Sequence, residues 1–286
     1  MEKEILELIP SLKEKTKNSI RVLPQQGDEP AVNATKIGGL FLWSENENWF
    51  CCDVIEDSLM EDYFKDYPTD SESQTGDWNF GYYKLQICEV GHSKHNDAFV
   101  PILQIRAEDI PLMRFPHNTN IFQLFWCPRY HKETYSPVCK IVWRNENEIE
   151  NQLKIIPKAS NPECELIPKP SAVILQEVEE YPNFWALSSE EKDLLTNEKR
   201  EFYWKNLSPH EGIKVGGHPN WIQDPETPIC NCNKEMEHLL TIGSDIFEDY
   251  PNHKAPGLVI GDCGSVYIFI CYDCANLPIK TVFQCS

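Results

Sequence analysis

The apolar residues of this chain fall mainly in short runs bounded by turn residues, a strand pattern rather than a helical one. Tyr82 to Val90, Phe99 to Ile105, Ile121 to Trp126 and Lys140 to Trp143 form one series. Leu239 to Ile242, Leu258 to Ile260 and Val266 to Ile270 form another. Helical signals are confined to two places. Within residues 3–18, Ile5, Leu8, Ile9 and Leu12 recur at helical spacing, with Pro10 as a break or a second start. Ser188-Ser189-Glu190-Glu191, ahead of Lys192-Asp193-Leu194-Leu195, has the order of a capping box. There a Ser hydroxyl and a Glu three residues on satisfy free amides reciprocally. The expected fold is α+β and strand-rich.

The two series echo each other. Lys36-Ile37-Gly38-Gly39-Leu40-Phe41-Leu42-Trp43 parallels Lys214-Val215-Gly216-Gly217-His218-Pro219-Asn220-Trp221. Ile102-Leu103-Gln104-Ile105 parallels Leu239-Leu240-Thr241-Ile242, and the pair Asp109-Ile110 parallels Asp245-Ile246. Ile121 to Cys127 parallels Val266 to Cys271, an aromatic strand running into a cysteine. Blocks repeated in one order predict two similar sheet-forming halves, an internal duplication. The expected division is an N-terminal helical segment 1–22, a first pseudo-repeat 23–150, a linker and helix 151–212, and a second pseudo-repeat 213–286. The first repeat carries an acidic insertion at 56–77, expected as a solvated excursion. Neither Gly-Gly pair has phosphate-loop spacing or the Gly-Lys-Ser/Thr that holds phosphate and magnesium. Glycine is expected here because it permits positive φ at the start of a strand.

Charge narrows the partners. Asp and Glu number 45 against 26 Lys and Arg, a formal net charge of −19 over 286 residues. Such a balance argues against nucleic acid, whose binders carry a basic footprint. It would steer the chain toward a basic protein partner. No run approaches the roughly 18 to 20 apolar residues of a membrane helix, so no membrane association is expected. Met1-Glu2-Lys3-Glu4 has neither the basic segment nor the apolar run of an export signal, and the expected location is cytoplasmic.

A cytoplasmic setting changes the meaning of the twelve cysteines. Reduced thiols are packed hydrophobes or metal ligands. Cys230-Asn231-Cys232 and Cys271-Tyr272-Asp273-Cys274 are two close pairs separated by enough chain to wrap a tetrahedral site. Pro225 and Pro228 suit a turn presenting the first pair, and the second follows a strand. These residues predict a zinc-ribbon-like knuckle holding structural zinc. A redox pair at Cys271 and Cys274 is the weaker alternative, since a low-pKa thiol favours a helix N-terminus. Cys51, Cys52, Cys127 and His131 stand at matching places in the first half and are candidates for a second metal. Gly261-Asp262-Cys263-Gly264-Ser265 has the letters of a protease nucleophile turn, but a glycine-rich hairpin turn explains them as well. Trp43, Trp49 and Trp221, beside the Gly-Gly turns, are candidates to line a pocket between the repeats.

Several blocks carry a family resemblance. They are Lys36-Ile37-Gly38-Gly39, Pro101 to Ile105, Phe122 to Pro128 with His131, and Lys214-Val215-Gly216-Gly217. Trp221-Ile222-Gln223, Met236 to Leu240, Gly261-Asp262 and Gln284-Cys285-Ser286 extend the series. Together they resemble the YwqG-like family of bacterial proteins, from about residue 20 onward. The resemblance implies an α+β, strand-rich architecture and no established activity or catalytic residues. Similar chains often have Cys-x-x-Cys-Gly where this one has Cys230-Asn231-Cys232-Asn233.

Three functions follow as expectations. The first is a zinc-stabilised protein-interaction domain, of the immunity type that would bind a basic toxin. The second is an enzyme with a pocket between the repeats. The third is a metal-handling or scaffold protein. No complete catalytic set is visible, which favours a non-enzymatic role.

Overall fold

The computed structural model describes residues 1–25, 27–52, 97–129, 136–158, 165–244 and 256–286. The acidic run 56–77, Tyr82 to Val90, His131 and the pair Asp245-Ile246 lie outside the described residues. In chain order the strands are β1 (Lys17–Gln25), β2 (Lys36–Ile37), β3 (Cys51–Cys52), β4 (Asp97–Ala98), β5 (Val100–Arg106) and β6 (Ile121–Trp126). Then follow β7 (Cys139–Arg144), β8 (Ser171–Glu180), β9 (Lys214–Gly216), β10 (Glu237–Gly243), β11 (Ser265–Ile270) and β12 (Ile279–Gln284). β3 and β4 pair with each other, and the other ten form one sheet in the order β12-β11-β10-β9-β1-β8-β2-β5-β6-β7. Its ladders are all antiparallel.

Burial explains why some strands are legible in the sequence. β6 is buried at every position, so it reads as an unbroken apolar run. β8 is different, because half of its side chains are polar and Ile174 is 47% exposed. It is held by backbone pairing, with β1 on one side and β2 on the other. The expected linker 151–212 therefore contains a central strand of the sheet. The expected helical segment 1–22 also needs correction. Helix α1 (Glu2–Leu8) and a 3-10 turn at Pro10–Glu14 give way at Lys17 to β1. Ile20 and Val22, on either side of Arg21, point to the same face and join the core. Leu258 and Ile260 are fully buried but form no strand.

On either side of the β1–β8 pair the sheet has the same arithmetic. A short strand is followed by a seven-residue strand and two six-residue strands: β9-β10-β11-β12 on one flank, β2-β5-β6-β7 on the other. β5 is bulged between Pro101 and Leu103, and β10 between His238 and Leu240. Lys36 faces Gln104 and Ile37 faces Leu103, while Lys214 faces Thr241 and Val215 faces Leu240. The main apolar cluster draws on both flanks, from Ile37, Ile102 and Phe122 to Val215, Leu240 and Ile268. One core thus serves both.

The helices form a separate layer. Ile5, Ile9 and Leu12 pack on Tyr181, Leu187, Leu195, Tyr203 and Leu207, contributed around α2 (Ser189–Asp193) and α3 (Asn197–Asn206). The capping box at Ser188 forms as expected. The Glu191 amide donates to Ser188 Oγ at 3.1 Å, and the Ser188 amide donates to Glu191 Oε2 at 3.0 Å. Such a cap is worth about 1 kcal/mol.

Candidate metal centre

The first cysteine pair sits on a tight turn. Ile229 and Glu235 form an isolated bridge, the Cys230 amide donates to the Lys234 carbonyl at 2.8 Å, and the Asn233 amide donates to the Cys230 carbonyl at 2.9 Å. Asn233 closes the turn at φ +65°, a conformation that Asn tolerates better than most residues. The second pair follows β11 directly. There the Cys271 amide donates to Pro278 at 3.0 Å and the Leu277 amide donates to Cys274 at 2.9 Å. Prolines and small polar residues thus bend the backbone so that side chains from both turns converge.

What converges is sulfur. The Sγ atoms of Cys230, Cys232, Cys271 and Cys274 all lie within 4.8 Å of one another. Cys230 and Cys274 are 3.8 Å apart, Cys232 and Cys271 3.6 Å, and Cys271 and Cys274 3.8 Å. Sulfurs bound tetrahedrally to zinc at about 2.3 Å stand about 3.8 Å apart. The thiols are free, not joined as disulfides. Cys230 and Cys271 are buried against Trp221, Met236, Tyr267 and Phe269, whereas Cys232 is exposed. The four side chains therefore fit a thiophilic ion that would be walled by aromatic rings on one side. Lys234 and Asp273, one from each turn, form an ion pair at 2.7 Å beside the cluster.

Electrostatics give the four thiols different characters. The Cys232 amide stabilises a thiolate at Cys230, bringing its pKa down to about 7. Hydrogen bonding with Cys232 and Cys230, then burial, pushes Cys274 up to about 12, and burial raises Cys271. Four thiolates cannot share so small a volume without a cation between them. Binding a divalent ion here would release protons.

Among the described residues this is the one group of three or more His, Cys, Asp or Glu side chains placed to hold a metal. The other cysteine set is not assembled in that way. Cys127 is buried among Phe41, Trp43, Phe99 and Phe125, Cys51 is exposed on β3, and His131 lies outside the described residues, as does the side chain of Cys52. Trp43 and Trp49 belong to this same aromatic cluster, with their rings 5.1 Å apart. Trp221 is 4% exposed and stacks on Phe269 at 5.9 Å beside the sulfurs. The three tryptophans thus pack in two clusters instead of lining one pocket. The Arg144 guanidinium lies 4.3 Å over Trp43, a contact the sequence did not signal.

The Gly-Gly pairs shape the exits of β2 and β9 rather than the start of a strand. All four glycines have positive φ, between +59° and +72°. In both turns a buried lysine donates back across the corner, Lys36 to the Leu40 carbonyl and Lys214 to the His218 carbonyl. Burial pushes each ammonium down to about 8. A carboxylate receives the following amide in both, Glu29 from Leu40 at 3.4 Å and Glu180 from His218 at 2.7 Å. Glu180 is also ion-paired with Lys214, fully inside the protein. Cys263 occupies a turn at φ +50°, as the hairpin-turn reading expects, although no strand precedes it. A thiol nucleophile at Cys263 would need a histidine base, and the ring nitrogens of His218 and His238 lie instead on the Lys15 carbonyl, the Gly216 carbonyl and Thr241 Oγ1.

The family model described as Domain of unknown function (DUF1963) matches residues 35–276. The chain belongs to that family. No curated protein gave a match to it. Among the described residues, no helix is long and apolar enough to cross a membrane.

Proposed function

We propose that this protein is a zinc-stabilised binding domain, with one zinc held by Cys230, Cys232, Cys271 and Cys274. The observation that carries this reading is the convergence of four sulfurs within 4.8 Å. A four-thiolate set is a closed site, structural rather than catalytic, because no coordination position is left for substrate. A cytoplasmic location agrees with free thiols. Metal analysis of protein purified under reducing conditions without added metal tests the assignment. About one zinc per chain is expected, and less than about a tenth would sink it.

The partner in this reading is a basic protein, and the immunity-type role is neutralisation of a basic toxin. The charge of −19 supports it, since opposite charge speeds encounter. A second support is the pair Trp185 and Trp204, 39% and 57% exposed, whose rings meet at 6.0 Å on the helical layer. Exposed tryptophans are frequent anchors of interfaces and can stack on cationic side chains. Affinity capture at low and high salt is the test. If no protein partner is retained at low salt, the steered-binding reading fails.

The matched flanks support an internal duplication, with units longer than the repeated sequence blocks. β1 and β8 would be the first strands of the two units, each inserted in the sheet beside the other's short strand. The narrower YwqG-like assignment rests on the sequence blocks at Lys36, Phe122, Lys214 and Met236.

A further inference from the structure

Beside the cysteine centre, and separate from it, the surface opens into a cavity of about 270 Å³. Lys17 and Asn18 enter it from the start of β1, Gly216 and Gly217 from the exit of β9, and His238 from the bulge of β10. Arg114 reaches it from the loop after β5, and Tyr272 closes one side. The cavity therefore lies where elements from both flanks meet.

Its charge runs against that of the chain. The formal net charge is −19, yet this cavity is lined by two cations, Lys17 and Arg114, and one carboxylate, Glu237. Lys17 makes no ion pair with any described residue. Arg114 is held flat, 3.7 Å over the Tyr272 ring, with Nη2 donating to Glu237. A guanidinium has five N–H donors in a fork, so contacts with Glu237 and Tyr272 do not exhaust those of Arg114. His238 adds shape rather than charge. Its Nδ1 is 3.1 Å from the Gly216 carbonyl and its Nε2 is 2.9 Å from Thr241 Oγ1. Burial, then the nearby lysines, hold it neutral. The Gly216 backbone borders the cavity bare, since a Cβ there would stand 2.9 Å from Leu112 Cδ2.

We propose that this cavity binds a small organic anion, carrying a carboxylate or a phosphate, with Lys17 and Arg114 as its charge partners. The volume is just under the usual range for drug-sized ligands, which begins near 300 Å³, and suits a molecule of about dicarboxylate size. Both cations are solvent-exposed, but Arg114 is held in place by its stack on Tyr272 and its ion pair with Glu237, so an anion meets it with little reorganisation, and Lys17 adds a second positive charge beside it. The proposed ligand contacts do not include the cysteine sulfurs, although Tyr272 lies between Cys271 and Cys274.

The probes are succinate and inorganic phosphate, each compared with chloride at matched ionic strength. In the wild-type protein, the rate of Lys17 acylation by an amine-reactive reagent is followed by mass spectrometry, with exposed Lys140 on β7 as the internal reference. Saturable slowing of Lys17 by at least about threefold, with Lys140 unchanged, is expected from one or both probes. A response to succinate alone identifies a carboxylate ligand, and to phosphate alone a phosphate ligand. Equal slowing of both lysines, or the same effect from chloride, overturns the proposal. Calorimetry supplies the second measurement: Lys17→Ala with Arg114→Ala should abolish the binding heat while circular dichroism and zinc content stay unchanged. Heat that persists in that folded variant also overturns it. If the variant does not fold, the wild-type footprint decides.

Discussion

Cys232 Sγ lies 3.6 Å from Cys271 Sγ, although 39 residues separate them in the chain. The turn ahead of β10 is thereby brought onto the end of β11, at the β10–β11–β12 flank of the sheet. Lys234 and Asp273 repeat the link on the outer side at 2.7 Å, and Lys280 on β12 donates to the Ile229 carbonyl at 2.6 Å. The exposed ion pair contributes little by itself. A metal joining the turns would instead remove conformational freedom from the unfolded chain and bind only the folded one.

Cys271→Ser should therefore lose both metal and stability. We expect zinc to fall well below one per chain and stability to drop by about 4 kcal/mol, or roughly 10 °C in Tm. Cys263→Ser, on an exposed turn away from the cluster, should leave metal content unchanged. Metal analysis with a thermal melt checks this, and equal metal content in the two variants would contradict the four-cysteine assignment.

His218 makes stability fall in acid. Burial pushes its pKa down to about 4 from the ordinary 6.5, and its Nε2 faces the Lys15 carbonyl at 2.6 Å. Between those two values the unfolded chain takes up a proton that the folded one refuses. The stabilising effect is full above pH 6.5 and is lost progressively as pH falls toward 4. By pH 5 the loss from this residue should be about 2 kcal/mol. Urea midpoints at pH 7 and 5 should differ less in His218→Gln than in wild type, and an identical difference would remove His218 from the account.

Gly217 and Gly39 occupy matching corners with unequal surroundings. At Gly217, φ +67°, a Cβ would fall 2.0 Å from Glu180 Oε1, inside the buried pair with Lys214. At Gly39, φ +72°, it would meet the exposed Glu29 and Pro170 at 3.0 Å. Gly39→Ala should cost about 1–2 kcal/mol, the penalty of the left-handed conformation. Gly217→Ala should cost more than about 3 kcal/mol, because a buried ion pair must also move. Denaturant titration of the two variants measures the gap.

Trp204 is expected to matter for binding and not for folding. More than half of its surface is open, so Trp204→Ala should change stability by less than about 1 kcal/mol. Affinity for the captured basic partner should fall at least about tenfold. Unchanged affinity would locate the interface elsewhere.

The cysteine spacing led to a cluster of four sulfurs because close pairs on two short turns can converge on one point. Strand β6, buried throughout, and β11, buried from Val266 to Ile270, were legible for a related reason: immersion on both faces leaves an apolar run. β8 was missed because its half-exposed side chains give it no such run, and its place is set by backbone bonds to β1 and β2. The tryptophans were misplaced because aromatic residues beside a glycine turn look the same in sequence whether they face a pocket or fill a core.

By itself, then, the sequence determined the strand-rich character, the acidity, the capped helix at Ser188 and the two cysteine pairs. These are local properties, governed by side-chain chemistry and spacing along the chain. Tertiary structure alone decided that β1 and β8 sit together at the centre of the sheet. It also decided that Trp221 walls the sulfurs and that Lys17 and Arg114 share a cavity. Those juxtapositions depend on which backbone edges pair and which faces are buried together, contacts made between residues up to two hundred positions apart.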